Sequence, residues 1–534
     1  MNQFPWLTLL VLIPLVGAVV VWLLPAGLAA RAKHVALGVS LLTLVVGILA
    51  TVAYATSGSS GSSGSSGTGQ FRLEEQHQWI PQFGVSYALG VDGIALALIL
   101  MSLVLTPICL LAAWRDLPQH GDRGDGDTPD PREKSYFALM LVLETFMVGV
   151  FAATDVFFFY VFFEAMLIPV YFLIGQYGGP RRQYAAIKFL VFSLLGGLIM
   201  LAAVIGLYTQ GPGGSDGFLV SKLTGLALDP ATGRLLFLGF FFAFMVKAPM
   251  VPVHTWLPDA ATEARPATAV LLVGVLDKVG TYGMIRFCLQ LFPEASQWAT
   301  PVVITLAVIS VLYGALLAIG QTDIMRLIAY TSISHFGFIV LGIFAMTSTG
   351  FAGSTLYMVN HGFTTAALFL IAAMMVNRRG SKRIADFGGW QRVTPVLAGS
   401  FLVAGLSGLA LPGLGAFVAE FLTLVGTFQR YPVAAVIATV GIILAALYIL
   451  LTYKRMATGP VPESASGTLD LSGRERWVVA PLIALFLVLG FYPKPALDLI
   501  NPAVSNTLGQ MKVTDPAPVA PVTVSSSTQL GGTK

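Results

Sequence analysis

Six ionisable side chains stand inside stretches that are otherwise apolar. Glu164 lies in FYVFFEAMLIPVYFLIG, Lys247 in FFFAFMVKAPMVPVHTWLP and Lys278 in VLLVGVLDKVGTYGMIRF. His335 follows Tyr330-Thr-Ser-Ile-Ser, His361 lies in MVNHGFTTAALFLIAA, and Glu420 in LPGLGAFVAEFLTL. A charge at the centre of a bilayer costs about 2.5–3.5 kcal/mol on insertion scales, so each needs a partner, water or a function. Carboxyl, ammonium and imidazole groups share one chemistry: each can take up and release a proton. A single His of this kind can be a hydrogen-bonded packing residue, but Lys247 and Lys278 are set too deep for that bland explanation. Lys188 and Arg286, nearer to helix ends, are expected to snorkel toward water.

Backbone breaks accompany two of these charges. Lys247 is followed by Pro249 and Pro252, and Glu420 is preceded by Pro412, Gly413 and Gly415. Proline removes an intrahelical hydrogen bond and frees a carbonyl that water or a polar side chain must satisfy. Two interrupted spans about five helices apart, each with a charge, match the pattern of two inverted five-helix repeats with sites near mid-membrane.

The elements that hold these residues follow from composition. The 534 residues are 56% hydrophobic and 10% charged, against about 25% charged in soluble domains. So little polar material cannot cover a water-facing surface, and the bilayer is the expected solvent. Apolar runs of about 20 residues predict about fourteen spans, centred near 14, 43, 100, 143, 166, 196, 243, 278, 309, 335, 364, 409, 443 and 484. Those at 243 and 409 are interrupted. The fold class is therefore an all-α integral membrane protein. Its divisions are residues 1–133, a first repeat 134–292, a second repeat 293–457, a last helix within 458–500 and a flexible outer tail 501–534.

Lys and Arg concentrate in alternate loops, from Arg31 and Lys33 to Lys454 and Arg455, which puts both termini outside. No basic stretch precedes the first apolar run, so it reads as a retained helix and not a signal peptide. Ser57 to Gly69 reads as a flexible outer loop, and the acidic stretch Asp116 to Asp130 as a solvated one. No basic stripe suggests nucleic acid. Cys109 and Cys288 lie apart in apolar runs, which leaves a disulfide framework, a metal site and an iron–sulfur cluster unsupported. No dinucleotide-binding glycine motif is present.

Several motifs together carry a family resemblance. They are Phe162-Phe-Glu-Ala-Met-Leu-Ile-Pro, Lys247-Ala-Pro with His254-Thr-Trp-Leu-Pro-Asp-Ala, and Lys278-Val-Gly-Thr-Tyr-Gly. Gln321-Thr-Asp, Ala329-Tyr-Thr-Ser-Ile-Ser-His and Leu411-Pro-Gly with Phe417-Val-Ala-Glu-Phe follow them, and Trp79-Ile-Pro and Val91-Asp-Gly come before. Across roughly residues 79 to 455 the chain resembles the antiporter-like subunits of respiratory complex I, most closely the subunit M (chain 4) type. Related subunits and antiporters carry Lys where this chain has Glu420. Met325 and Asp277 depart from the pattern, which usually shows Lys and an apolar residue there. Neighbours on a helix point about 100° apart, so Asp277 is expected to face a helix contact or a lateral water pocket and to tolerate Leu.

The resemblance implies a proton-translocating membrane subunit of an NADH:quinone oxidoreductase. In it Glu164 and Lys247 would form an ion pair, Lys278, His335 and His361 would conduct along a central axis, and Glu420 would be the terminal proton site. It implies no cofactor in this chain: NADH, FMN, iron–sulfur clusters and quinone would belong to partner subunits. The expected partners are other membrane subunits, with antiporter-like neighbours on both sides, in a bacterial-type cell (inner) membrane. The rival readings are a component of a multisubunit cation/proton antiporter, a membrane-bound hydrogenase subunit, and an inert scaffold.

Overall fold

The computed structural model describes residues 4–57, 70–115 and 131–517. Helices α1 (Trp6–Leu23) and α2 (Ala32–Ser57) lead to a hairpin of β1 (Arg72–Ile80) and β2 (Val85–Val91). Then come α3 (Gly93–Ala112), α4 (Pro131–Ala152), α5 (Val156–Ala165), α6 (Leu167–Tyr177), α7 (Arg182–Gln210), the short α8 (Val220–Leu223) and α9 (Pro230–Lys247). Beyond a break follow α10 (Trp256–Glu263), α11 (Pro266–Leu271), α12 (Asp277–Gly283), α13 (Pro293–Ile319), α14 (Ile324–Ala345) and α15 (Ser348–Arg379). The chain ends with α16 (Trp390–Val393), α17 (Pro395–Gly408), α18 (Gly415–Arg430), α19 (Pro432–Ala457), α20 (Gly473–Phe491) and α21 (Lys494–Gln510).

Among the described residues twelve stretches are long and apolar enough to cross a bilayer, and thirteen if α20 and α21, bent by 68°, form one span. The expected fourteenth, near 409, is α17 and α18 separated by the turn that contains Pro412 and Gly413. The helices divide by exposure. Only 28% of the apolar window of α2 is buried and 33% of that of α19, whereas the 266–289 span is buried throughout and α14 and α15 are 94% buried. Apolar side chains at the rim have nothing else to cover them, so the outer helices face lipid or neighbouring chains and the inner ones are shielded.

Glycines bring the inner helices to backbone contact. A Cβ on Gly280 would fall 2.6 Å from Phe244 O, one on Gly337 2.7 Å from Ala307 O, and one on Gly353 2.5 Å from Thr423 N. Small residues that permit such approach drive helix association in membranes, where lipid tails compete for every apolar contact.

The hairpin, which the sequence reading did not anticipate, fastens helix ends. Glu75 in β1 accepts from the Leu7 N–H at 2.7 Å and the Thr8 N–H at 3.1 Å, satisfying donors that the first turn of α1 leaves free. Asp155 caps α5 through the Phe158 N–H at 2.8 Å and also accepts from the Ser86 N–H of β2 at 3.0 Å.

Two expectations need correction. Lys188 and Arg286 do not snorkel to free water: Lys188 pairs with Asp259 at 2.7 Å, and Arg286, fully buried, pairs with Asp92 at 2.7 Å. Each cation meets a carboxylate instead, and removing either partner would leave the other charge uncompensated. Residues 501–517 are also not a loose tail. Helix α21 continues to Gln510 with Ile500, Val504 and Thr507 buried, and Gln290 donates to Thr507 Oγ1 at 2.9 Å. The Gly/Ser segment after Ser57, the acidic stretch 116–130 and the tail from 518 lie outside the described residues.

Candidate functional site

Glu164 stands at the end of α5, half-buried, with Oε1 buried and without a hydrogen-bond partner. Gly197 on α7 makes its space, since a Cβ there would fall 1.7 Å from that oxygen. Lys247 ends α9. It is 1% exposed, and its Nζ has no hydrogen-bond acceptor. That ammonium rests instead on aromatic faces, 4.9 Å from the Phe163 ring centre and 5.9 Å from that of Phe189, within the range of a cation–π contact. Glu164 and Lys247 lie within electrostatic reach of each other, but no ion pair closes between them in this structure.

The break behind Lys247 is satisfied locally. Ala248 N–H bonds Phe244 O at 2.7 Å, and Trp256 Nε1 donates across the turn to Val246 O at 3.0 Å. Pro249 cannot donate to Met245 O, so Met250 N–H bonds that carbonyl at 3.1 Å instead, and the indole takes up Val246 O, which the helix no longer uses.

Lys278 sits near the start of α12, between two π-helical stretches, Leu272–Leu276 and Met284–Leu289. Wide turns loosen the i→i−4 ladder, and such bulges concentrate at functional sites. Here Lys278 Nζ donates to Val273 O at 2.7 Å and lies 2.6 Å from His361 Nδ1 on α15. His361 stacks edge-on against His335 of α14 at 5.2 Å between ring centres. The His335 ring is 5.9 Å from that of Tyr357, whose hydroxyl donates to Glu420 Oε2 at 2.8 Å. Tyr448 of α19 approaches His335 Nε2 at a longer 3.4 Å. Asn360 Nδ2 donates to Gly415 O at 2.6 Å, securing the start of α18 and with it Glu420.

Four of the six residues singled out from the sequence therefore adjoin one another: Lys278, His361, His335 and Glu420, the last through Tyr357. Glu164 and Lys247 form a separate, open pair on α5 and α9. Tyr357 was missed, although Tyr357, His361 and Thr365 recur every four residues on one face of α15, a polar stripe at helical period. Glu144 on α4 was also missed. It is fully buried, and neither carboxyl oxygen has a hydrogen-bond partner. The cost rule that marked Glu164 would have marked it. Among the described residues no group of three or more His, Cys, Asp and Glu could hold a metal ion.

A protein-family model described as "NADH:quinone oxidoreductase/Mrp antiporter, TM" matches residues 153–445. NADH-quinone oxidoreductase subunit M of Mycobacterium tuberculosis is 52% identical over 97% of this chain and 96% of its own length. The subunit M of Rhodobacter capsulatus is 37% identical over 94% and 96%. Among solved structures, a chain of respiratory complex I from Thermus thermophilus with bound NADH superposes with a TM-score of 0.82 at 30% identity, covering 95% of this chain and 99% of that one. A chain of the Mrp complex from Dietzia sp. DQ12-45-1b has a TM-score of 0.80 at 23% identity over 95% and 98%, a likeness of fold alone.

Fold and site together define an antiporter-like, multi-span membrane protein with a buried line of polar side chains. The chain belongs to the antiporter-like membrane subunits of NADH-quinone oxidoreductase, and within them to the subunit M (chain 4) type.

Proposed function

We propose that this chain carries protons through the membrane arm of an NADH:quinone oxidoreductase along the residues Lys278, His361, His335, Tyr357 and Glu420, with Glu164 and Lys247 as the charge pair that triggers each transfer. The observation that carries this reading is the succession of buried, proton-exchanging side chains from Lys278 to Glu420, hydrogen-bonded at both ends and joined between by ring contacts of 5.2 and 5.9 Å. Neutralising one member of a close charge pair leaves the other uncompensated in a low dielectric, a large effect beside the roughly 2.3 kcal/mol per 100 mV that a proton must overcome. When Glu164 turns away, Lys247 loses the attraction of that carboxylate and gives up its proton toward Lys278.

Electron carriers (NADH, FMN, iron–sulfur clusters and quinone) belong to partner subunits in this reading. Antiporter-like neighbours flank the chain on both sides, and both termini face outward across a bacterial-type inner membrane. The five passages from α4 to the 266–289 span and the five from α13 to α19 form the two inverted repeats. Each carries its break on its fourth passage, after α9 and between α17 and α18.

The test uses the whole complex in sealed vesicles. NADH should start proton uptake, a quinone-site inhibitor should stop it, and Glu420→Gln should abolish it while the complex still assembles. Proton exchange for sodium or potassium under an imposed gradient, with no donor and no flavin or iron–sulfur protein copurifying, would overturn the reading in favour of an antiporter component.

A further inference from the structure

Asp277, like Glu144, is a buried carboxyl that the proposed path leaves unexplained. It is fully buried, and neither of its carboxyl oxygens has a hydrogen-bond partner. A carboxyl without partners in such a place is costly and asks for a reason. Lys247, equally buried, likewise lacks an acceptor.

The helix geometry relates the two. Gly280 of α12 lies against the end of α9, where a Cβ would meet Ala248 N at 2.6 Å and Phe244 O at 2.6 Å, residues that flank Lys247 along the chain and lie about 60–100° around the helix from it. Successive residues turn about 100° around a helix, so Asp277 lies about 60° from Gly280 and about 100° from Lys278 on the opposite side. Lys278 itself points to His361 on α15. Thr281, about 40° from Asp277 on that same side, donates to Met358 Sδ of α15 at 2.8 Å. Asp277 thus falls on the strip of α12 between the face that touches the Lys247 helix and the face that carries Lys278. A negative charge on Asp277 would lie within electrostatic reach of both ammonium groups.

We propose that Asp277 is the proton relay between Lys247 and Lys278, a step that rests on the proton path proposed above. The carboxylate of Asp277 accepts a proton from the Lys247 ammonium, giving a neutral amine and a carboxylic acid. The acid then passes that proton to a neutral Lys278, restoring the carboxylate and leaving Lys278 as the ammonium that faces His361. Each transfer breaks one N–H or O–H bond and forms one, with no net change in charge. This reverses the expectation that Asp277 would tolerate Leu, and it accounts for two orphaned groups at once.

The experiment compares NADH-driven proton uptake by the reconstituted complex carrying Asp277→Asn, Asp277→Leu or Asp277→Glu, beside Lys247→Ala and Lys278→Ala. Asp277→Asn and Asp277→Leu should pump at least about tenfold more slowly, since positioned acid–base groups contribute about 10²–10⁴-fold, and Asp277→Glu should restore most of the rate. A carboxyl infrared band that appears on NADH addition, shifts with ¹³C-labelled aspartate and is missing in Asp277→Asn would mark the protonated relay. Two independent variants, Asn and Leu, keep the test open if one of them misfolds. Near-normal pumping by either beside inactive Lys→Ala variants removes Asp277 and leaves the wider path standing. Loss of pumping without rescue by Glu and without the band makes Asp277 structural and also overturns the relay. Normal pumping in the Lys→Ala variants overturns the path and the relay together.

Discussion

Lys278 Nζ lies 2.6 Å from His361 Nδ1, although the two residues stand 83 positions apart in the chain. The contact joins the loosened span 266–289 to the long helix α15 and fixes the direction in which the lysine can hand on a proton. The other bond of that ammonium goes to Val273 O. Replacement of His361 by Leu should therefore leave Lys278 anchored and the complex assembled, with NADH-driven proton uptake lost. Unchanged uptake in an assembled His361→Leu complex would exclude the contact from the path.

Lys247 separates charge from proton release. Arginine keeps the positive charge over Phe163 and Phe189 but does not deprotonate in proteins. Lys247→Arg should pump as poorly as Lys247→Ala, measured as the rate of vesicle acidification per NADH oxidised. Near-normal activity of the Arg variant would mean that only its charge matters.

Gly197 tests the Glu164 pocket without touching a titrating group. Its Cβ would meet the Glu164 carboxyl at 1.7 Å, so Gly197→Ala must displace that side chain. Pumping should fall as far as in Glu164→Gln while the complex still assembles on native gels. Full pumping in Gly197→Ala would show that the carboxyl position is immaterial.

Tyr357→Phe removes only the hydroxyl that donates to Glu420 at 2.8 Å. A hydrogen bond to a charged group is worth about 1.5–3 kcal/mol, or about ten- to a hundredfold in rate if it acts in the limiting step. Tyr448→Phe, whose hydroxyl is 3.4 Å from His335, should cost much less. Equal effects of the two changes would contradict the order of contacts.

Asp259 lies outside the spans and bridges Lys188 at 2.7 Å and Arg326 at 2.6 Å. Burial by itself would raise its pKa, but hydrogen bonds to Lys188 and Arg326 and the charges of both outweigh that and hold it below the usual carboxylate range. A depressed folded-state pKa contributes stability above the unfolded value, and that stability disappears as pH falls through the folded one. Asp259→Asn should lower stability by about 1–2 kcal/mol near neutral pH, the partly exposed cations limiting the loss. It should also flatten the decline of the thermal midpoint at acid pH, and an unaltered pH profile would show that the bridge is idle.

The sequence made the spans, the two breaks and the six charged positions legible, because each rests on a local rule. An apolar run must be long, proline must free a carbonyl, and a charge in lipid must be explained. Pairings across the chain were beyond those rules. Nothing near Arg286 announces Asp92, which lies 194 residues away, and nothing near Lys188 announces Asp259. Local rules therefore send both cations to water. The hairpin was hidden for a related reason, since Arg72–Ile80 is a strand that pairs with β2 and holds the start of α1, while β2 in turn bonds the cap of α5. Tyr357 and Glu144 were within reach of the same cost argument, had it been extended to hydroxyls and to every buried carboxyl.

The glycine contacts at Gly280, Gly337 and Gly353 have a mechanical meaning. Each lies within four residues of a proposed relay group, Lys278, His335 or Tyr357, and each presses one main chain against another with no side chain between. Two rods in such contact cannot slip past each other by a turn, because the next side chain would have to pass where only a hydrogen fits. A piston stroke through this part of the protein would have to unseat all three. The stiff scaffold instead keeps donor and acceptor atoms at constant separation while protons, side-chain rotations and water move between them. Work done elsewhere in the complex would then cross this chain as a displacement of charge, with the helices serving as the frame of the conductor.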